Sequence, residues 1–125
     1  AAQAEDFGAL ADAVRKLPCC VWQCTRTPSD PAHVVSRGAG GHAWMMGPSG
    51  ETMIGNIGPL CRAHHTGGDG VRRPQHQIGT RAFETETTLM LRLPGHPARR
   101  FDTLAEVAQA VGEWFLTDPD LGAPA

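Results

Sequence analysis

The chain has no tyrosine, and only three tryptophans and four phenylalanines in 125 residues. Aromatic side chains bury the largest apolar areas, so a domain this poor in them needs something besides core packing. No apolar run approaches the roughly 20 residues that span a bilayer as a helix, and no membrane partner is expected. No basic stretch followed by an apolar one opens the sequence. The expectation is therefore an unexported, cytoplasmic protein. What is plentiful is glycine (15) and proline (10), so much of the chain must be loop. The length suits one domain, and 41% hydrophobic with 19% charged residues fits a globular class.

The net charge of −2 hides an uneven distribution. All 11 basic residues lie between Arg15 and Arg100, with only five acids (Asp30, Glu51, Asp69, Glu84, Glu86), a net +6. The flanks hold the other eight acids and no base, a net −8. A basic centre is compatible with a polyanion partner. Ten of the bases are arginine, which suits phosphate contact.

Phe7, Leu10, Val14 and Leu17 share one helical face, which predicts an N-terminal helix over 1–17, stopped by Pro18. In 18–66, Val34-Val35 and Met53-Ile54 read as two short strands joined by a long loop, with Trp44, Met45 and Met46 as loop packed on the core. Residues 66–75 read as a flexible insert and Gln75 to Phe83 as a short helix. Alternation from Phe83 to Leu93 predicts a strand. Thr103 and Glu106 form a capping box. The stripe Leu104, Val107, Ala108, Val111, Phe115 makes the following helix amphipathic, and Asp118-Pro119 ends it. The reading is one domain: helix 1–17, metal-bearing core 18–84, strand and helix 85–116 packed on it, and tail 117–125.

Four cysteines and six histidines suggest what supplements the core. Cys19, Cys20 and Cys24 lie close together, and Cys61 and His64 follow about forty residues later as Cys-x-x-His. Two close pairs far apart in sequence suit a four-coordinate zinc site. Such an ion closes a long loop and contributes to folding directly. The alternative, disulfides in a secreted domain, lacks a secretion signal. Cys19 or Cys20 can pair with Cys24. Pro18 favours Cys19, which leaves Cys20 as a small buried hydrophobe.

Further residues fall in a recognisable order: Pro18-Cys19, Cys24, Ala32-His33, Ser36-Arg37-Gly38-Ala39-Gly40-Gly41, Asn56, Pro59-Leu60-Cys61-Arg62-Ala63-His64-His65, Gln75-His76-Gln77-Ile78-Gly79, Phe83-Glu84. Over 18–84 this resembles the HNH nuclease superfamily, and more closely its small phage and prophage proteins. The resemblance implies an α+β, zinc-stabilised ββα-metal domain with flanking helices, in a bacterial host cell. It implies a metal-dependent endonuclease hydrolysing DNA phosphodiester bonds. His33 would be the general base taking a proton from water. Asn56 would fix the loop carrying that base or orient a ligand. Cys61 and His64 would complete the structural zinc site with Cys19 and Cys24. His65 would ligate a catalytic divalent cation, Mg²⁺ or Mn²⁺, with Zn²⁺ or Ni²⁺ as other occupants.

Two features depart from that pattern. Ala32 stands where many members carry a ligating acid, and a seven-residue insert displaces Gln75-His76. With Ala32 unable to coordinate, a second ligand is required. His76 is expected to share the cation with His65 if the insert bulges outward, and Asp69 is the fallback. Arg37, Arg62, Arg72, Arg73 and Arg81 cluster around the motif as candidate phosphate contacts. A phage or host protein partner is also compatible. The alternative functions are a zinc-stabilised nucleic-acid-binding module without cleavage, or a structural accessory protein.

The basic centre predicts salt-sensitive binding. The affinity for duplex DNA should fall with a log–log salt slope of about −0.9 per phosphate contact. Filter binding across a salt series measures it, and a slope near zero removes every nucleic-acid reading.

Overall fold

The computed structural model describes residues 8–24, 26–46 and 53–118. The first element, helix α1, is Ala9–Arg15, which buries Leu10, Ala11, Ala13 and Val14. Phe7 lies outside the described residues. Leu17 turns under the helix, and its carbonyl accepts the buried Ser29 hydroxyl at 2.6 Å.

The central ribbon is β1, Asp30–His33, antiparallel to β4, Ile57–Leu60. Its register pairs Asp30 with Leu60 and His33 with Ile57. Val34 N–H donates to the Asn56 carbonyl at 2.9 Å, so every second pair back from there carries the ladder bonds. Pro31 opposite Pro59 then falls on a rung that needs no N–H, which is how two prolines are tolerated face to face. Val34-Val35 follow this strand rather than forming it, which corrects the sequence expectation.

A second ribbon pairs β2, Trp44–Met46, with β3, Met53–Gly55. Trp44, Met45 and Met46 are thus a strand and not a loop. Of the two expected strands, Met53-Ile54 lie in β3 and pair with β2, whereas Val34-Val35 lie just beyond β1, which pairs with β4. After β4 come α2, Arg62–His65, then a tight turn bridged between Gly68 and Val71, then α3, Gln75–Ile78.

The expected strand from Phe83 is a helix for its first half. Helix α4 is Thr80–Glu86, and only β5, Leu89–Leu91, is extended. Thr85 and Thr87 look like strand residues by type. Their hydroxyls instead donate to the carbonyls four residues back, Arg81 (2.9 Å) and Phe83 (2.6 Å), which a helix allows. Phe83 is fully buried and anchors that helix in the core. Gly79, at φ 89°, separates α3 from α4 with a backbone geometry that favours glycine.

Strand β6, Arg99–Phe101, pairs with β5 in a third ribbon that the sequence reading missed. Helix α5, Leu104–Thr117, begins at the expected capping box: Thr103 Oγ1 accepts from Glu106 N–H at 3.1 Å, and Thr103 N–H donates to the Glu106 carboxylate at 3.2 Å. Its N-terminal Leu104 N–H also donates to Glu84 at 2.6 Å, which joins α4 to α5. Residues 20–22 thread between ribbons: Cys20 N–H donates to the Pro59 carbonyl (2.9 Å) and Met90 N–H to the Cys20 carbonyl (2.7 Å). The described residues thus form a small α+β fold of three two-stranded antiparallel sheets and helices. Leu10, Val14, Ile57, Leu60, Phe83, Leu89, Val107 and Val111 form its core.

Helix α5 lies close against β3. A Cβ added to Gly55 would sit 2.4 Å from the Ala108 carbonyl oxygen, and one added to Gly112 would sit 3.0 Å from the Gly55 nitrogen. The backbones meet there because neither residue has a side chain. Gly55→Ala should destabilise the fold by about 1–3 kcal/mol, as overpacking does. Urea denaturation checks this; an unchanged midpoint would mean that the helix can move aside freely.

Candidate metal centre and histidine cleft

The first knuckle spans Cys19 to Cys24. Cys24 N–H bonds the Val21 carbonyl (2.9 Å), Cys19 N–H bonds the Arg26 carbonyl (3.2 Å), and Gln23 takes a positive φ of 69° to close the turn. The second knuckle is the start of α2. Cys61 is its N-cap, so Cys-x-x-His places Cys61 and His64 on one turn. Cys61 Sγ lies 3.2 Å from His64 Nδ1 and 3.9 Å from Cys24 Sγ, and Cys19 Sγ lies 3.6 Å from His64 Nδ1.

A tetrahedral zinc with bonds of about 2.3 Å to sulfur and about 2.0 Å to nitrogen separates its ligands by about 3.8 Å (S to S) and 3.5 Å (S to N). The observed spacings match those edges, and all four cysteines are free of disulfides. Cys19, Cys24, Cys61 and His64 could therefore hold a metal ion such as zinc. Cys20 is fully buried and stands outside the cluster. Burial pushes its thiol up to about 12.

Burial likewise raises the pKa of Cys19 well above the ordinary thiol value. Burial also opposes ionisation of Cys61, but the His64 backbone N–H and then the Arg26 guanidinium outweigh it and lower its pKa. Arg26 Nη1 approaches Cys61 Sγ to 4.0 Å. Clustered, buried thiols of this kind ionise when a divalent cation supplies the compensating charge.

A separate cleft of about 740 Å³ opens beside β1 and is lined by Asp30, His33, Arg62, His65, Gln75 and His76, among others. His33 stands at the end of β1. His65 ends α2, and the turn after it folds back so that the His76 ring meets the His65 ring edge-on, centroids 4.4 Å apart. The insert bulges outward as a turn with positive φ at Gly67, Gly68, Asp69 and Gly70. Asp69 is exposed and lines a different groove, beside Cys24 and His64.

Asn56 is only 5% exposed and its amide is fully committed. Its Oδ1 accepts from Val35 N–H (2.9 Å), and its Nδ2 donates to the carbonyls of Val35 (3.0 Å) and His42 (2.9 Å). Of the two roles expected for Asn56, the geometry matches the loop fastener: it pins both ends of the segment that follows His33.

The sequence reading missed two residues of the cleft. Gln75, 4% exposed, donates from Nε2 to the His33 carbonyl (3.1 Å) and to Thr80 Oγ1 (3.0 Å), tying α3 to the His33 backbone. Asp30 accepts from Arg62 Nε (2.7 Å) and Nη2 (3.3 Å), and its Oδ2 lies 2.9 Å from His65 Nδ1. The available signal for Asp30 was an acid three residues before His33, at a strand start. Burial opposes its ionisation, but Arg62 and His65 prevail and lower its pKa. Burial is the main cause of the lowered His65 pKa, with Asp30 partly opposing it.

The arginines expected at phosphates fall into different settings. Arg62 is held by Asp30, and Arg73 by the Glu86 carboxylate. Arg72 and Arg81 are exposed, with no ion pair among the described residues. The side chain of Arg37 lies outside what is described. Comparison with family models, curated proteins and solved structures finds no match to this chain.

Three exchanges test the cluster. Cys61→Ala and Cys19→Ala should each release about one zinc per chain and unfold the domain, because such sites contribute to folding directly. Cys20→Ala should keep the metal. Elemental analysis with thermal melting reads all three, and protein purified without zinc would end the assignment.

Proposed function

We propose that this protein is a metal-dependent endonuclease of HNH type, hydrolysing DNA phosphodiester bonds. The observation that carries the reading is the meeting of His33, His65 and His76 in one cleft, from positions spread over three elements. The pinned segment after His33 supports it, because a base must be held still to act on a positioned water.

In this reading His33 takes the proton of the attacking water. Gln75 holds the His33 carbonyl, and Asn56 holds the segment that follows. His65 and His76 hold a divalent cation. Their rings meet edge-on with centroids 4.4 Å apart, so the two imidazoles lie close to one another in the cleft. A bound cation would neutralise charge developing on the scissile phosphate and the leaving oxygen. Zinc at the Cys₃His cluster would be structural, lying in the other groove and supplying no group to the reaction. The exposed Arg72 and Arg81 are the candidate backbone contacts, while Arg62 and Arg73 are already engaged by carboxylates.

One observation favours a second reading, a nucleic-acid-binding module without cleavage. Among the described residues, the metal-type grouping of three or more side chains is the Cys₃His set, and the cleft offers two imidazoles.

Plasmid nicking with added Mg²⁺ or Mn²⁺, against buffer without either, separates the two. His33→Ala should lose about 10²–10⁴-fold of the activity while keeping its melting temperature and zinc content. A wild-type protein that leaves plasmid intact in every metal removes the nuclease. A gel shift under the same conditions then decides for or against the binding module.

A further inference from the structure

The geometry points to Asp30 as the positioning residue of the cleft, a carboxylate that fixes the tautomer and orientation of His65 so that its Nε2 lone pair is offered to a cation. This deepens the proposed function and rests on reading the cleft as a cation site.

An imidazole can ligate through only one nitrogen at a time while the other carries a proton, and the partner of that second nitrogen decides which is which. His65 Nδ1 lies 2.9 Å from Asp30 Oδ2. The same carboxylate is gripped by the Arg62 guanidinium through two nitrogens, at 2.7 and 3.3 Å. A carboxylate held this way accepts and does not donate. The proton between Asp30 and His65 therefore belongs to Nδ1, and Nε2 is the nitrogen left with a lone pair. Carboxylate–histidine–metal arrangements of this kind also raise ligand basicity.

The alternative, Asp30 as a direct ligand, is disfavoured by the same contacts: Oδ2 already accepts from Arg62 Nε and meets His65 Nδ1, and Oδ1 accepts from Arg62 Nη2. Asp30 and His65 are also partly shielded, at 22% and 15% side-chain exposure, so water competes poorly for their contact. The arrangement accounts for Ala32. The acid absent beside His33 is found instead at the other end of the same strand, acting through His65. Arg62 in turn holds Asp30 through Nε and Nη2.

The test uses the zinc-loaded full chain. Long-range ¹⁵N–¹H spectra read the His65 tautomer, and calorimetry with Mn²⁺ and with Ni²⁺ reads affinity at the cleft. Wild type should carry the His65 proton on Nδ1. Asp30→Ala should move it toward Nε2 and weaken ion binding by about 10–100-fold, with the structural zinc retained. Asp30→Asn keeps the shape and one acceptor oxygen, so it should retain the Nδ1 tautomer and part of the affinity. A wild-type proton on Nε2 overturns the assignment, as does unchanged affinity in both variants. If Asp30→Asn binds as weakly as Asp30→Ala with the tautomer intact, Asp30 is a ligand and the assignment is equally overturned. If Asp30→Ala fails to fold, the wild-type tautomer and Asp30→Asn decide. The tautomer and affinity results stand apart from DNA cleavage. Their success with no nicking would remove the nuclease and leave the role of Asp30 in place.

Discussion

The pairing of β1 with β4 is the constraint from which the rest of the cleft follows. Its register puts Asp30 opposite Leu60, and the residue after Leu60 is the N-cap of α2. The Asp30 carboxylate therefore meets the side chains of α2, Arg62 and His65. At the other end of the ladder, His33 faces Ile57, and the next rung brings Val34 to Asn56. A slip of one residue would turn every side chain of β1 to the opposite face. It would separate Asp30 from His65 and pull the segment after His33 off the Asn56 amide. Buried Ala32 and a wholly buried β4 specify the register against such a slip.

The ladder is short, and its support comes from two sides. Helix α5 covers β3 and β4 through Val107, Val111 and the close contact of Gly112 with Gly55. Gly55 immediately precedes Asn56, so the tightest helix contact adjoins the residue that pins the His33 loop. On the other side, the 19–24 knuckle meets the start of α2 at the Cys₃His cluster. The knuckle backbone also joins β4 to β5 through Cys20. A chain without tyrosine thus has a polar crosslink site where a larger aromatic core would otherwise be needed. A metal there would anchor the N-terminus of α2, one turn before His65.

What the sequence made legible was chemistry carried by local spacing. The Thr103–Glu106 capping box and the stripe of α5 are short-range signals, and both appear as expected. The Cys/His grouping was equally readable, because each knuckle is a local turn. Residues whose roles come from long-range register were not readable. Asp30 acquires its meaning from α2, which follows in sequence only after three more strands. The strand expected from Phe83 failed for a different reason. Alternation of Thr and Glu is weak strand patterning, since neither type is apolar, and burial of Phe83 together with Gly79 as a breaker favoured a helix. Strand β6 carries Arg-Arg-Phe, with no alternation long enough to detect. The ribbon that pairs Pro31 with Pro59 was obscured because proline argues against a strand unless the rung that it occupies is known.

The two candidate metal positions differ in a way that bears on how each would behave. The Cys₃His set offers four donors, three of them thiolates once ionised, in a cluster whose edges already match a tetrahedron. Soft, charged donors in a closed shell favour zinc and resist exchange. The cleft offers two imidazoles, His65 and His76, with Asp30 against His65 and Ala32 next to His33. An ion held there must complete its shell with water or with substrate oxygens. Hard Mg²⁺ gains little from imidazole, whereas Mn²⁺, Ni²⁺ and Zn²⁺ gain more. The cleft would therefore bind its cation loosely and in exchange with solvent, and most tightly when a phosphodiester oxygen supplies a further ligand. On the proposed reading, such a donor set would bind weakly in the absence of substrate, and the substrate would be part of the metal site.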